Sequence, residues 1–328
     1  VLIHGSQATI EDSTFAFNAH YGLYIQSSSD CVVRGNTFVF NGSQGVSFVG
    51  AHRMRLEANA IAYNNQKGFL VSWYSGGIDG GLSHDIELRD NLVEHNLAVG
   101  MWCDTDCSGV VVGNTVRNNV PVGIEFEATE NVIIASNLVV HNSPIGIYAA
   151  GGARAVKIFN NTLVGNGSDV GAWAGVMVDE YGPELGLETM GVTLKNNLLS
   201  GGTGSYLGVE SDRSRRADDM GVVCDYNLYH RTVGSQPAVL MRWWREEEGY
   251  FLAHTVGEFQ EGASQEENGI GLDDVMPSVL FVNPDGGDYR LAPCSPARGR
   301  GEALPQDVAD AIGVPATGEP VDIGMLAR

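Results

Sequence analysis

The stretch "NTVRNNVPVGIEFE" (114–127) decides the fold, because its spacing recurs along most of the chain. It reads Asn-x-apolar-x-x-Asn-x-x-x-Gly-apolar. The first asparagine of this pattern falls at Asn36, Asn59, Asn91, Asn114, Asn137, Asn161 and Asn197. The second falls at Asn18, Asn41, Asn64, Asn96, Asn119, Asn142 and Asn166. The glycine is assigned to Gly22, Gly45, Gly68, Gly100, Gly123, Gly146 and Gly175. The usual step is 23 residues in all three markers. Short alternating apolar strands at that period, without helical spacing, describe a solenoid of β-coils. The asparagines suit coil turns, where their side chains bond the backbone and stack from coil to coil. The glycine suits a tight bend before each strand.

Positions one and three after each glycine are then inward: Leu23/Ile25, Val46/Phe48, Phe69/Val71, Met101/Cys103, Ile124/Phe126 and Ile147/Ala149. All are apolar, as a continuous core requires. The pattern resembles the right-handed parallel β-helix of the pectate-lyase-like superfamily. The expected fold is therefore all-β, with about 23 residues per coil. Residues 1–230 are read as coils carrying a catalytic face, and 231–328 as a C-terminal extension and cap. "FVNPDGGDYRLAPCSPARGRG" (281–301) and "VDIGM" (321–325) resemble the closing tail of secreted β-helix proteins, and are expected to cover the open end of the solenoid. Val1 falls in mid-coil, so further coils or a cap are expected before it. The resemblance implies a secreted or cell-surface protein.

Composition narrows the partners. Forty Asp and Glu against nineteen Lys and Arg give a net charge of −21, which opposes binding to nucleic acid or other polyanions. No run of eighteen apolar residues exists to span a membrane. Five cysteines leave at least one unpaired, and Cys103 and Cys107 are near enough to bridge if their side chains converge.

In a parallel stack, residues one period apart lie about 4.8 Å from each other on neighbouring coils. Outward position four reads Gln26, Val49, Ser72, Asp104, Glu127, Ala150, Asp179, and position two reads Tyr24, Ser47, Leu70, Trp102, Glu125, Tyr148, Met177. Asp104 and Glu127 are thus stacked, beside the column of Trp102 and Glu125. Two carboxylates about 5–5.5 Å apart are the arrangement of a retaining glycosidase, and an adjacent aromatic is a platform for a sugar ring. Asp179, two coil steps from Glu127 or roughly 9–10 Å, is the partner for an inverting alternative. Asp104, Asp106 and Glu127 are also hard oxygen donors that suit calcium. Calcium is the one cofactor considered, and no other metal site is expected.

The period breaks on both sides of the acids. Extra residues around "WYSGGIDGGLS" (73–83), "GSDVGAW" (167–173) and "EYGPELGLETMG" (180–191) are expected to form loops walling a cleft, with Trp73, Tyr74, Trp173 and Tyr181. His95 and His141, in matching positions, are expected near the cleft edge as substrate contacts. The only basic stretch considered, "SDRSRR" (211–216), is several coils away, which favours a neutral sugar and hydrolysis over elimination on a uronate.

"MWCDTD" (101–106) and "GIEFEA" (123–128) resemble the paired motifs of β-helical glycoside hydrolases, glycoside hydrolase family 120 (retaining β-xylosidases) in particular. That resemblance implies Asp104 as nucleophile, Glu127 as acid/base and Trp102 in the nucleophile's segment. The cysteines of "CDTDC" depart from the family pattern. The expected substrate is a neutral polysaccharide or its oligosaccharides. The alternatives are a polysaccharide lyase or epimerase on uronates, and a non-catalytic carbohydrate-binding β-helix.

Overall fold

The computed structural model describes residues 1–73, 75–168, 174–180, 186–212, 215–232 and 239–326. Its coils each contribute a strand to three parallel sheets that run the length of the molecule. The first sheet takes the strand that follows the repeat glycine, such as Val122–Glu127. The second takes Val132–Ala135 and its counterparts, and the third Leu138–Val140 and its counterparts.

Both asparagine columns are buried ladders. The Oδ1 of Asn114 accepts the backbone N–H of Asn91 at 2.9 Å and its Nδ2 at 3.0 Å. The Nδ2 of Asn114 in turn donates to Leu88 O and to Asn137 Oδ1. The same set recurs from Asn36 to Asn197 and continues to Asn227, one rung past the last asparagine assigned above. Asn227 ends the ladder on a carboxylate: its Nδ2 donates to Glu266 Oε1 at 2.6 Å and its N–H to Oε2 at 3.2 Å. A carboxylate suits this last rung because it only accepts.

The repeat glycine has a different physical reason from the one expected. At Gly100 a Cβ would lie 2.6 Å from Gly123 O and 2.9 Å from Asn119 Nδ2. Close approach of the next coil and of the asparagine side chain excludes any larger residue there, and no positive φ is involved.

One assignment shifts. Strand Gly76–Gly81 pairs Ile78 with both Val46 and Met101, so the repeat glycine of this coil is Gly77, not Gly68. The inward pair is Ile78 and Gly80, replacing Phe69 and Val71. Gly80 is required because the Phe48 ring, 2.1 Å from a hypothetical Cβ, already fills that volume. The extra residues thus precede the strand rather than follow it. This change moves a new acid, Asp79, onto the outer face.

The parallel register also runs beyond residue 230. Met241–Trp244 pairs with the first sheet and Ile270–Leu272 with the third. Helix Val256–Ala263 closes this end: Thr255 caps it, and Val256 and Phe259 enter the main core, with the Phe259 ring edge-on to Trp243 at 5.3 Å. The segments expected to cover the end lie elsewhere. Leu280, Phe281 and Ile323 pack on Val140, Val164 and Leu198, the outer face of the third sheet. Val308, Ala309 and Ile312 pack on Val112, Ala135 and Phe159, the outer face of the second. The tail is a flanking strap, and the first sheet's outer face stays clear of it.

Asn114→Ala removes the acceptor of a buried backbone N–H and two side-chain rungs. We expect a loss of about 2–4 kcal/mol in urea unfolding, at ~1–3 kcal/mol per orphaned buried group. Arg117→Ala, which breaks an exposed ion pair with Glu94, should cost less than about 1 kcal/mol. Equal effects would deny the ladder its role.

Candidate functional site

Alternation along the first sheet sorts the side chains. Met101, Cys103, Ile124 and Phe126 point inward and are buried. The register pairs Trp102 with Glu125 and Asp104 with Glu127, as the period requires. One coil earlier, Asp79 pairs with Trp102 and Gly81 with Asp104. One coil later, Glu125 pairs with Tyr148 and Glu127 with Ala150. Asp179 follows Val178, the partner of Ala149, and so continues the column of Glu127. Glu210 pairs with Asp179 in turn, so the described residues of the outer face carry six acids in two adjacent columns, with Trp102 between Asp79 and Glu125.

The turn after Asp104 is fixed on several sides. Cys103 and Cys107 form a disulfide across it. Thr105 and Asp106 adopt left-handed φ values of 57° and 55°. Their N–H groups donate to Glu127 O and Ala128 O on the next coil. Thr105 Oγ1 donates to Asp104 Oδ1 at 2.7 Å, which orients that carboxylate. Asp106 is exposed and turned to His84, whose Nε2 lies 3.4 Å from its Oδ2. It does not converge with Asp104 and Glu127. Among the described residues no three His, Cys, Asp or Glu side chains form a metal-binding group.

Two cavities adjoin on this face. One, of about 340 Å³, is lined by Trp73, Asp79, Trp102, Asp104, Thr105 and Glu127, among others. The other, of about 310 Å³, is lined by Val71, Pro121, Val122, Ile145 and Tyr148 with Glu125. Ser72, Trp102 and Glu127 border both. Trp102 is 8% exposed.

Burial and crowding raise the acids. Glu125 is pushed up to about 8 by desolvation and then by Glu127, Asp179, Asp104 and Asp79. Glu127 rises to about 7 by desolvation, Asp104 and Asp179, tempered by the nearby Trp102 N–H. Asp79 rises to about 7 by desolvation and Asp104, although Gln44 Nε2 donates to it. Asp179 rises to about 7 by desolvation, although it accepts from the Tyr148 hydroxyl and from Gly151 N at 3.3 Å. The Tyr148 phenol is raised as well, by burial and by Asp179, and so stays protonated.

Of the residues expected from sequence, Asp104, Glu127, Trp102, Glu125, Tyr148, Asp179 and Trp73 gather on this face. Tyr74, Trp173 and Tyr181 lie outside the described residues. His95 and His141 do not line either cavity. His95 stacks on Tyr63 at 5.1 Å, continuing a column with Phe40 and Phe17. His141 holds the equivalent turn and abuts Gly165. Their matching positions reflect ring and turn stacking along the solenoid rather than a cleft. Asp79 was missed, yet counting back one period of 23 from Gly100 lands on Gly77 and would have found it. Within the basic stretch, Arg215 is paired to the fully buried Glu180 at 2.6 Å.

The chain belongs to the right handed beta helix region family, whose model matches residues 1–166. No curated protein matches it. Among solved structures it is similar to a double-mutant form of the periplasmic alginate epimerase AlgG, with TM-score 0.50 and 21% identity. That match covers 62% of this chain and 48% of the epimerase, so the chain spans about half the epimerase's length. It is also similar to the pectate lyase Pel9A, with TM-score 0.56, 14% identity, and 96% and 77% of the two chains covered. At these identities the likeness is one of fold. No helix among the described residues is long and apolar enough to cross a membrane.

The raised acids predict how stability varies with pH. A carboxyl whose pKa is higher folded than unfolded makes folding take up protons, so its contribution is greatest below about pH 4 and is lost as pH rises through its folded value. For Asp79, Glu127 and Asp179 that value is about 7, and for Glu125 about 8. The melting temperature should therefore fall between pH 5.5 and 8.5, roughly. Glu125→Gln should flatten part of the fall. A profile that rises over this window would contradict the account.

Proposed function

We propose that the protein is a secreted or cell-surface glycoside hydrolase that cleaves a neutral glycoside with retention of configuration, Asp104 being the nucleophile and Glu127 the acid/base. The observation that carries this reading is the in-register pairing of Asp104 with Glu127 on adjacent strands, at the border of two adjoining cavities. Paired Cα positions on neighbouring strands are about 4.8 Å apart, near the ~5–5.5 Å between carboxyls of retaining enzymes. No described residue lining either cavity is Lys or Arg, which suits an uncharged sugar. The resemblance of "MWCDTD" and "GIEFEA" to glycoside hydrolase family 120 adds support.

In the first step the Asp104 carboxylate attacks the anomeric carbon. The bond to the leaving oxygen breaks, and Glu127 gives that oxygen its proton. In the second, Glu127 takes a proton from water, the water oxygen attacks the anomeric carbon, and Asp104 is released. A pKa of about 7 keeps Glu127 protonated for the first step at mildly acid pH. Trp102 and Glu125 orient the sugar, and Tyr148, held by its bond to Asp179, walls the leaving side.

A lyase or epimerase on uronates is the second reading. It fits the names of the two structural neighbours at least as well. One observation of this chain also favours it. The outward column of Glu125 and Tyr148 runs on through Met177 and Gly208 to Arg242, a cation on the same face.

The test is sugar release from neutral and uronate glycans, with and without EDTA. We expect turnover of a neutral glycoside that ignores EDTA, gives the retained anomer by NMR and declines above about pH 7. Glu127→Ala should lose ~10²–10⁴-fold and regain turnover with azide, while Asp104→Ala should not regain it with retention. Calcium-dependent release of an unsaturated product from uronates would transfer the protein to the lyases. Glycan binding without turnover would make it a binding module.

A further inference from the structure

The two cavities differ in chemistry, and the difference bears on what leaves. The cavity on the Asp104 side offers Ser47, Asp79, Asp104 and Thr105, together with the exposed Trp73. Hydroxyl and carboxyl groups at that density can satisfy the hydroxyls of a pyranose. The cavity on the Tyr148 side is built otherwise. Its floor is made of outward-facing apolar side chains, Val99, Trp102, Val122 and Ile145, which pack with Met177 on the outside of the solenoid and are largely buried by their neighbours. Pro121, Pro144 and Val71 complete its described walls.

Polar groups on this side are few. Among the described lining side chains they are Ser72, the Trp102 indole N–H beside Glu127, the carboxyls of Glu125 and Glu127, and a Tyr148 hydroxyl already donated to Asp179. A sugar seated there would bury several hydroxyls without partners, at a cost of about 1–3 kcal/mol for each. An apolar ring would instead meet Val71, Pro121, Pro144 and Ile145 and bring no hydroxyls of its own that need partners.

We propose that this second cavity is a subsite for an apolar leaving group, so that the bond cleaved joins a neutral sugar to a ring-sized hydrophobic alcohol rather than to another sugar. The inference rests on the hydrolase reading for the direction of cleavage. Because Trp102 and Glu127 border both cavities, the glycosidic oxygen sits at Glu127, the sugar in the polar cavity and the alcohol in the apolar one. Burial of Glu125 and its high proton affinity fit the same occupant, since an uncharged carboxyl tolerates an apolar neighbour.

The experiment compares methyl with cyclohexylmethyl glycosides of D-xylose, D-glucose, L-arabinose and L-fucose. Both alcohols are primary and aliphatic, so their leaving abilities are close and only the apolar contact differs. We expect kcat/KM for the cyclohexylmethyl glycoside to exceed that for the methyl glycoside by roughly tenfold or more. Val71→Asp, on the exposed loop over the cavity, should bring that ratio towards one; Ile145→Asp should do the same from the floor. Cyclohexylmethanol alone should bind by saturation-transfer NMR, and Val71→Asp should weaken it. If no glycoside is hydrolysed, the hydrolase reading fails by itself. The alcohol arm then decides the subsite: binding lost in Val71→Asp upholds it, and no binding overturns it. Hydrolysis in which methyl glycosides or disaccharides outperform the cyclohexylmethyl glycosides overturns the subsite and leaves the hydrolase standing.

Discussion

Everything in this molecule depends on the asparagine ladders. A coil that slipped by one residue would put every asparagine out of reach of its neighbour, leave buried amides unpaired and turn the core strands inside out. The ladders therefore allow a single register. Chain length may be added only between rungs, as the step of 32 between Asn59 and Asn91 illustrates, where the Nδ2-to-Oδ1 bond persists at 3.0 Å. A fixed register on the inside is also a fixed register on the outside. Asp104 opposes Glu127 because Asn96 bonds to Asn119 before their strands and Asn114 to Asn137 after them.

Such a scaffold is suited to crowding like charges. In parallel stacking, a side chain meets its counterpart from the next coil at one strand spacing, so acids in one column have no freedom to separate. Burial first, and neighbouring acids second, make Asp79, Glu125, Glu127 and Asp179 hold their protons to higher pH than free carboxyls do. Glu266, which terminates the ladder, is raised to about 7 by full burial, although the Tyr229 hydroxyl and the Asn227 amide that it accepts from pull the other way. Outside the cleft, acids are treated differently. Asp30 is lowered by Arg53 and Asp288 to about 2 by Arg290, the ordinary condition of a surface carboxylate with a partner. Surface acids lowered by an arginine and cleft acids raised by burial thus mark two different environments.

The coils were legible because three markers repeat together, each for a physical reason that admits few substitutes. The columns followed directly, and with them Asp104, Glu127, Trp102 and Asp179. Legibility ended where a marker was ambiguous. Gly-apolar occurs at both Gly68 and Gly77, and only the downstream spacing separates them; the wrong choice hid Asp79 inside an apparent loop. His95 and His141 misled for the opposite reason, since periodicity aligns residues on every face and says nothing about which face is a cleft. The tail could not be read at all from the repeat. Its apolar residues answer to Val112, Phe159, Val140 and Leu198, outward positions that look like ordinary strand hydrophobics until something is known to cover them.

That covering bears on why the site is where it is. A three-sided solenoid has three outer faces, and two of these are occupied by the strap formed from residues 277–326. Among the described residues the strap does not enter the outer apolar cluster of the first sheet, and here residues inserted before Gly76 border the cavities. The buried apolar cluster of Val99, Trp102, Val122, Ile145 and Met177 is the counterpart of the patches beneath the strap. On the other two faces such patches are matched by Leu280, Phe281, Val308 and Ile312. On this face the corresponding surface opens into a cavity beside two carboxyls. Here the cluster is kept nearly dry by neighbouring side chains of the same face instead of by the strap, and the cavity proposed above as a subsite lies against it, beside Glu125 and Glu127.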